Sequence, residues 1–274
     1  WNSIRHANPI SVGLNCALGA ALMRPYVEEL SKIADVNICV YPNAGLPNPM
    51  AATGFDETPE ITSKLLEEFA KKGWVNVVGG CCGTTPEHIK AISDAIKNLP
   101  PRKILDQKKS LKLSGLEACN IHDSSLFVNV GERTNVIGSR KFKQMIEAEQ
   151  FDEAAEIARK QVKAGAHIID VCLSNPDRDE THDMVAFLNK VTKITKAPLM
   201  IDSQVPEVVE EAFKLTQGKC ILNSVNLEEG EKSFEELLPI VKKFGASVVV
   251  GCIEGEMAVT AEAKLEVAIN SWII

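Results

Sequence analysis

Two adjacent cysteines, Cys81 and Cys82, have the most specific chemistry of any residues in this 274-residue chain. They follow an apolar stretch (74–78) and are flanked by glycine, which predicts both thiols at the carboxyl end of a strand. Cys16 also ends an apolar stretch. Neighbouring cysteines fit a disulfide with each other poorly, but both can ligate one soft metal ion. Three thiolates would leave a fourth position open on a zinc ion, which is the pattern of catalytic zinc.

Packing is the alternative interpretation of these thiols, because cysteine is often a small buried residue. Glycine on both sides of the pair favours a close approach of the backbone to a ligand, but the residues alone leave both interpretations open. The remaining cysteines lie in or beside apolar strands or in a connecting segment, and we interpret them as structural: Cys39, Cys119, Cys172, Cys220 and Cys252. The five histidines lack ligand spacing, so none is assigned to zinc.

Polar residues end four successive predicted strands in the second half of the chain: Glu132, Asp170, Asp202 and Asn223. Each of them could be a helix cap. Together they place acids and amides around one opening, which favours a pocket for a polar ligand. Carboxylates accept hydrogen bonds, and an asparagine amide both donates and accepts. Such a set suits the edge of a pterin, which offers an N–H, an amino group and a carbonyl in a row.

Strands and helices alternate along the whole chain, which predicts an α/β fold with parallel strands. The predicted strands are 11–16, 37–41, 74–78, 126–130, 167–171, 198–201, 220–223 and 247–251. The predicted helices are 23–34, 62–72, 86–98, 151–164, 181–195, 206–216, 231–244 and 262–273. An open sheet and a barrel both satisfy this alternation. Three units before Pro100-Pro101 and five after the polar stretch that follows favour parts of two (β/α)8 TIM-type barrels joined by a linker. We expect domains at 1–100 and 125–274, with the linker at 101–124.

The overall composition limits which classes of partner and which cellular compartment are expected. A net charge of −7 argues against a nucleic-acid surface. No apolar run approaches the ~20 residues that cross a bilayer. Eight cysteines without the spacing of a small disulfide scaffold, and no secretory signal, predict a cytoplasmic protein. Both ends look cut, so we expect a piece of a longer polypeptide.

Three segments of the first half resemble the last three strand ends of the homocysteine-binding barrel of cobalamin-dependent methionine synthases. They read Gly-Leu-Asn-Cys-Ala-Leu-Gly (13–19), Pro-Asn-Ala-Gly-Leu-Pro (42–47) and Gly-Gly-Cys-Cys-Gly-Thr-Thr-Pro (79–86), and the likeness covers 2–101. The resemblance implies that Cys16, Cys81 and Cys82 bind zinc and that homocysteine is the thiol substrate. Zinc deprotonates a bound thiol, as a methyl acceptor requires.

The second half is similar to the pterin-binding domain of the same family, which is shared with dihydropteroate synthases and corrinoid methyltransferases. The segments that carry the likeness are 127–142, with Gly-Glu-Arg-Thr-Asn, and the strand ends at 202 and 223. The resemblance implies these folate-binding residues: Glu132, Asn135, Gly138, Ser139, Arg140, Asp170, Asp202 and Asn223. The chain departs from the family at 171–179, where many members have an acid-rich Asn-Met-Asp segment.

The implied activity is transfer of a methyl group from 5-methyltetrahydrofolate, by way of cobalamin, to zinc-activated homocysteine, giving methionine. No Asp-x-His-x-x-Gly motif is present, so cobalamin belongs to a module outside this chain, expected on the same polypeptide. Because both barrels are incomplete, we expect this piece to be inactive alone. No catalytic residue beyond the zinc ligands is assigned, and neither is the proton donor to folate N5. Two alternatives remain: a cobalamin-independent zinc methyltransferase fused to a folate enzyme such as a reductase, and a non-catalytic folate-binding module with structural zinc.

Overall fold

The computed structural model describes residues 1–51, 54–106, 110–255 and 258–273, with the side chains of 272 and 273 left aside. The chain divides into two compact units. The first holds Trp1 and Asn8–Lys109, and the second holds Asn2–Ala7 and Ser110–Ile274. Each unit is described separately below.

The first unit is a three-stranded parallel sheet in the order β1-β2-β3, with a helix after each strand. Its elements are β1 (Ser11–Gly19), α1 (Ala20–Ile33), β2 (Asn37–Asn43), α2 (Pro59–Lys71), β3 (Val77–Val78) and α3 (Pro86–Ile96). Burial alternates along β2, with Ile38 and Val40 facing the core. Leu66, Phe69 and Ala70 form the buried stripe of α2, at the spacing of one helix face.

Two strands of this unit differ from the prediction. β1 continues past Cys16 to Gly19, and β3 is only two residues long instead of spanning 74–78. Trp74 and Val75 are buried although they lie outside β3. The ring of Trp74 packs against Phe69 of α2, at 5.8 Å between ring centroids. The apolar run therefore serves helix–sheet packing before the chain joins the sheet.

The second unit is built on a five-stranded parallel sheet in the order β10-β9-β8-β7-β6. It begins with a hairpin of β4 (Leu111–Ser114) and β5 (Ala118–Ile121). The parallel strands are β6 (Val130–Asn135), β7 (Ile168–Cys172), β8 (Leu199–Asp202), β9 (Ile221–Leu227) and β10 (Ser247–Glu254). The helices are α4 (Arg140–Glu147), α5 (Phe151–Lys163), α6 (Glu180–Ile194), α7 (Pro206–Leu215), α8 (Lys232–Phe244) and α9 (Ala261–Ile273). The repeated strand–helix order confirms the α/β prediction.

β7 lies between β8 and β6 in this sheet, and all five of its residues are buried. A strand covered on both faces is typical of a parallel sheet with helices against it. Phe142 of α4 and Phe187 of α6 meet edge to face at 5.2 Å between ring centroids, and both are fully buried. Each such ring contributes roughly 1.5–3 kcal/mol through burial.

The stretch predicted as a linker contains the β4–β5 hairpin, which belongs to the second unit. Leu113 is fully buried against Ile168 and Ile221. The apolar pattern is only two residues long on this strand (Leu111 and Leu113), which is too short to stand out from the surrounding lysines. Burial in the finished fold, rather than local sequence, makes this segment a strand.

The first parallel strand of the second unit, β6, begins later than predicted. The sequence predicted 126–130, but β6 starts at Val130, and Leu126 and Phe127 are 90% and 88% exposed. Thr134 and Asn135, at the end of β6, are buried because β6 pairs with β7 as far as Cys172. The prediction placed the strand on apolar residues, but its buried side chains are polar. They can be buried because they have hydrogen-bond partners inside the fold.

No helix among the described residues is both long and apolar enough to cross a membrane.

Candidate zinc site and candidate pterin pocket

Cys16 lies at a break in the register of β1. The pairing with β2 shifts between Asn15 and Gly19, and Cys16 and Ala17 have φ values of 63° and 62°. This left-handed conformation costs a residue with a side chain about 1–3 kcal/mol, and such strain gathers at functional sites. A bulge of this kind re-aims a side chain at a strand end. Here it brings the Cys16 thiol beside the Cys81–Cys82 pair.

The three thiols converge to metal-binding distances. The Sγ atoms of Cys16 and Cys82 are 3.6 Å apart, and those of Cys81 and Cys82 are 3.9 Å apart. All three sulfurs lie within 4.8 Å of one another. A tetrahedral zinc with Zn–S bonds of about 2.3 Å separates its sulfur ligands by about 3.8 Å. The donor set and its spacing therefore fit zinc.

The end of β2 fixes the loop that carries the cysteine pair. Cys82 donates its backbone N–H to Asn43 Oδ1 at 3.2 Å, and its carbonyl accepts from Ala44 N at 2.9 Å. Cys81 donates its N–H to the carbonyl of Pro42 at 2.8 Å. Asn43 is buried. Sequence reasoning assigned Asn43 no role; its place at the end of β2, beside the next strand end, was the available signal.

The thiols affect one another's ionisation. A hydrogen bond from the Ala17 backbone lowers the pKa of Cys16, with smaller contributions from Cys81 and Cys82. Contact with Cys16, and then with Cys81, raises the pKa of Cys82 to about 11. One thiolate therefore opposes ionisation of the next, as expected for coupled groups. A divalent cation would allow all three to ionise together.

A capping box begins α3 directly after the cysteine loop. His88 is buried; its Nδ1 accepts the Thr85 backbone N–H at 3.2 Å, and its Nε2 donates to the Glu57 carbonyl at 3.0 Å. These partners require a neutral ring with the proton on Nε2. Gly83 turns the loop with φ +77°, and a Cβ there would lie 2.5 Å from Phe55 Cγ. The loop is therefore held at both ends.

Four of the predicted folate residues meet at the strand ends of the second unit. Asn135 Oδ1 accepts from the backbone N–H groups of Ile137 and Gly138 at 2.8 and 2.9 Å, which orients its amide. Its Nδ2 then faces Asp170 Oδ2 at 3.5 Å and Asp202 Oδ2 at 3.4 Å. The Nδ2 of Asn223, the fourth of them, lies 3.5 Å from Asp170 Oδ1. Two carboxylates and two amides thus form one connected polar cluster.

Of the other predicted folate residues, Gly138 contributes its backbone N–H to Asn135, and the remaining three lie outside these contacts. Glu132 is exposed, but its charge contributes to raising the pKa values of Asp170 and Asp202. Ser139 is the N-cap of α4, where its Oγ accepts from Phe142 N at 3.3 Å. Arg140, predicted in a loop, is the first residue of α4 and is exposed. The sequence did not predict this helix because its apolar pattern is short.

The acids of this cluster hold protons more tightly than ordinary carboxyls. Burial, and then the charge of Asp202, raises the pKa of Asp170 to about 6. Burial also raises the pKa of Asp202, while a hydrogen bond from the Cys172 thiol acts against that rise. The sequence interpretation of Cys172 as structural missed this contact. Its spacing of two from Asp170 was the signal, since residues i and i+2 of a strand share a face.

Two family models match this chain, one in each half. Residues 131–270, more than half of the chain, match the model of the pterin binding enzyme family, and the chain belongs to that family. Pterin-binding domains are of the TIM-barrel type, which confirms the predicted fold class. Residues 1–96 match the model of homocysteine S-methyltransferase. This order of domains matches the arrangement in a fragment of methionine synthase.

Similar solved structures include the carboxyl transferase domain of Rhizobium etli pyruvate carboxylase. With 3-bromopyruvate it gives a TM-score of 0.29 at 16% identity, covering 95% of this chain and 40% of that one. With pyruvate the TM-score is 0.30 at 15% identity, covering 99% and 41%. The chain thus spans about two fifths of the length of these structures. TM-scores this low carry no argument about fold or function.

Proposed function

We propose that this chain carries the methyl-acceptor and methyl-donor sites of a cobalamin-dependent methionine synthase. The reaction moves a methyl group from 5-methyltetrahydrofolate, by way of cobalamin, to homocysteine, and gives methionine. The observation that supports it best is the convergence of Cys16, Cys81 and Cys82 at the sulfur spacing of a zinc tetrahedron. In the same chain, a carboxylate and amide cluster follows in a region matched to pterin-binding enzymes.

At the first site, Cys16, Cys81 and Cys82 would hold zinc as thiolates. Zinc bound there supplies Lewis acidity that lowers the pKa of a substrate thiol, so that homocysteine is a nucleophile at neutral pH. The protein keeps the three sulfurs in place through the Asn43 and Ala44 hydrogen bonds to Cys82. A tetrahedral ion with three protein ligands leaves its fourth position to the substrate sulfur.

At the second site, the protein binds and orients the pterin ring. Asp202 and Asp170 accept hydrogen bonds from its N–H groups, while Asn223 pairs with a carbonyl or ring nitrogen. The amide of Asn135, which the backbone holds in place, bridges the two carboxylates and fixes their positions relative to each other. N5 of 5-methyltetrahydrofolate is a tertiary amine and a poor leaving group, so it must gain a proton around the transfer. The residue that donates this proton is not assigned.

Cobalamin would be bound by a separate module, which we propose as the partner of both sites. The complete sequence of this chain contains no Asp-x-His-x-x-Gly motif. The zinc site also bears on the non-catalytic alternative, since a closed structural zinc needs four protein ligands. The cluster found among the described residues has three.

Metal content tests the zinc assignment. We expect the purified chain to bind zinc in equimolar amount and Cys82→Ser to lose most of it, measured by atomic absorption after dialysis. Cys39→Ser is the matched control, because Cys39 is a free cysteine of the same unit whose thiol lies near Ser11 Oγ, at 3.8 Å. Equal zinc in Cys82→Ser and Cys39→Ser would refute the assignment.

Added cobalamin separates the catalytic alternatives. The proposal predicts that the complete polypeptide that contains this chain transfers the methyl group of 5-methyltetrahydrofolate to homocysteine only when cobalamin is supplied, and that Asp202→Asn slows this reaction. Methyl transfer from the folate to homocysteine without cobalamin would instead support the cobalamin-independent alternative.

A further inference from the structure

Glu180 has a buried carboxylate oxygen without a partner. Its Oε1 is buried and makes no hydrogen bond to any described residue. Native proteins satisfy nearly all buried polar atoms, and the exceptions are often explained by a missing water, ion or ligand. The mechanism above does not use Glu180, and neither the sequence nor the family resemblance indicated a role for it.

Glu180 lies near the polar cluster, close enough for its charge to act on Asp202. It is the first residue of α6, at the end of the loop that leaves β7 after Cys172. Loops that follow strands of a parallel α/β fold gather at the carboxyl edge of the sheet, where Asp170 and Asp202 also lie. The negative charge of Glu180 contributes to raising the pKa values of both Cys172 and Asp202. The charge of Glu180 therefore acts on groups that belong to, or contact, the polar cluster.

Arg178 and Asp179, which precede Glu180 in the chain, both have partners within the protein. Arg178 forms a two-point ion pair with the buried carboxylate of Asp183, with Nε and Nη2 at 2.6 and 2.8 Å from its two oxygens. Asp179, the N-cap of α6, accepts from His182 N at 3.0 Å. Asp179 and Asp183, the acids on either side of Glu180, thus have partners within the protein. Glu180 Oε1 has none among the described residues.

We propose that Glu180 is a further binding residue of the pterin pocket, and that its carboxylate accepts a hydrogen bond from an N–H group of the bound pterin. This inference rests on the proposed function and adds a residue to the same site. A hydrogen-bond acceptor buried without a partner is costly, so a ligand that supplies the donor recovers that cost on binding. A hydrogen bond to a charged group is also stronger than a neutral one.

A pterin offers two kinds of donor. The amino group and N3–H of its pyrimidine edge are present in every oxidation state. N8–H is present in the reduced ring and absent from fully oxidised folate. Comparing 5-methyltetrahydrofolate with folate therefore identifies which donor meets Glu180.

The test is the dissociation constant of each ligand, by isothermal titration calorimetry, for the full chain and for Glu180→Gln and Glu180→Met. Gln keeps an uncharged acceptor and Met removes it at similar length. We expect Glu180→Met to weaken 5-methyltetrahydrofolate binding by about tenfold or more, and Glu180→Gln to weaken it less. Glu207→Met is the matched control, since Glu207 is an exposed acid in the first turn of α7. It should leave binding unchanged, and circular dichroism checks the fold of every variant.

The outcomes are distinct. A loss for 5-methyltetrahydrofolate alone supports the inference with N8–H as the donor, and equal loss for both ligands supports it with the pyrimidine edge. Glu180→Met binding as tightly as Glu207→Met would overturn the inference and leave the proposed function standing. If the parent chain itself binds neither ligand, the proposed function fails and this inference falls with it.

Discussion

At the scale of single residues, both sites concentrate groups whose ionisation is shifted. Contact with the other thiols raises the pKa of Cys82, and burial, followed by the charge of Asp202, raises the pKa of Asp170. Perturbed groups gathered at strand ends are typical of functional sites. Phe187, by contrast, is fully buried in the hydrophobic core of the second unit.

The pKa of Asp170 predicts a pH-dependent stability. Its value of about 6 in the folded chain lies above the ordinary 3.8, so between these values the folded state holds a proton that the unfolded state releases. This contribution to the free energy of unfolding is fully present below about pH 3.8 and is lost as the pH rises through about 6. We expect the parent chain to lose stability relative to Asp170→Asn over this range, measured by urea denaturation. Parallel pH profiles for the two proteins would contradict the raised pKa.

At the scale of elements, the strand ends and the turns that follow them position the chemistry. The break in β1 turns Cys16 toward its partners, and β2 holds the cysteine loop through Asn43. In the second unit, Asn135 ends β6 and uses the first N–H groups of the following turn to orient its amide. The loops are therefore shaped as much by backbone hydrogen bonds as by the predicted ligands.

Gly83 tests this view of the cysteine loop. Gly83→Ala places a Cβ in a left-handed turn and against the Phe55 ring, which we expect to cost about 1–3 kcal/mol of stability and to weaken zinc binding. Gly73→Ala is the matched control, because Gly73 also has positive φ (+66°) but open space around its Cβ position. It should lose stability without losing zinc affinity. Equal zinc affinity in both variants, measured by competition with a chelator, would show that the loop geometry does not matter.

Sequence reasoning recovered the parts of the molecule that local pattern determines. The strand–helix alternation and the cysteine cluster follow from apolar periodicity and from residues such as Cys81 and Cys82 at strand ends. The β4–β5 hairpin, the helix α4 and the role of Cys172 were missed. The helix α4 has too short an apolar pattern to stand out. The other two depend on tertiary contacts: Leu113 on its partners in the core, and Cys172 on Asp202 across the sheet. Such contacts leave little trace in neighbouring residues.

At the scale of the whole molecule, one chain carries two sites of complementary chemistry. A soft thiolate cluster in the first unit suits a sulfur nucleophile, and a hard carboxylate and amide cluster in the second suits a pterin. The matches to homocysteine S-methyltransferase and to pterin-binding enzymes cover 1–96 and 131–270, so they divide the chain in the same region as the two units. The account therefore depends on the first cluster receiving the substrate thiol.

Zinc K-edge X-ray absorption of the zinc-loaded chain, with and without homocysteine, tests that claim most directly. The account predicts three sulfur ligands and one lighter ligand in the free protein, and four sulfur ligands at about 2.3 Å after homocysteine is added. Four sulfur ligands before the addition, or a spectrum that homocysteine leaves unchanged, would contradict it.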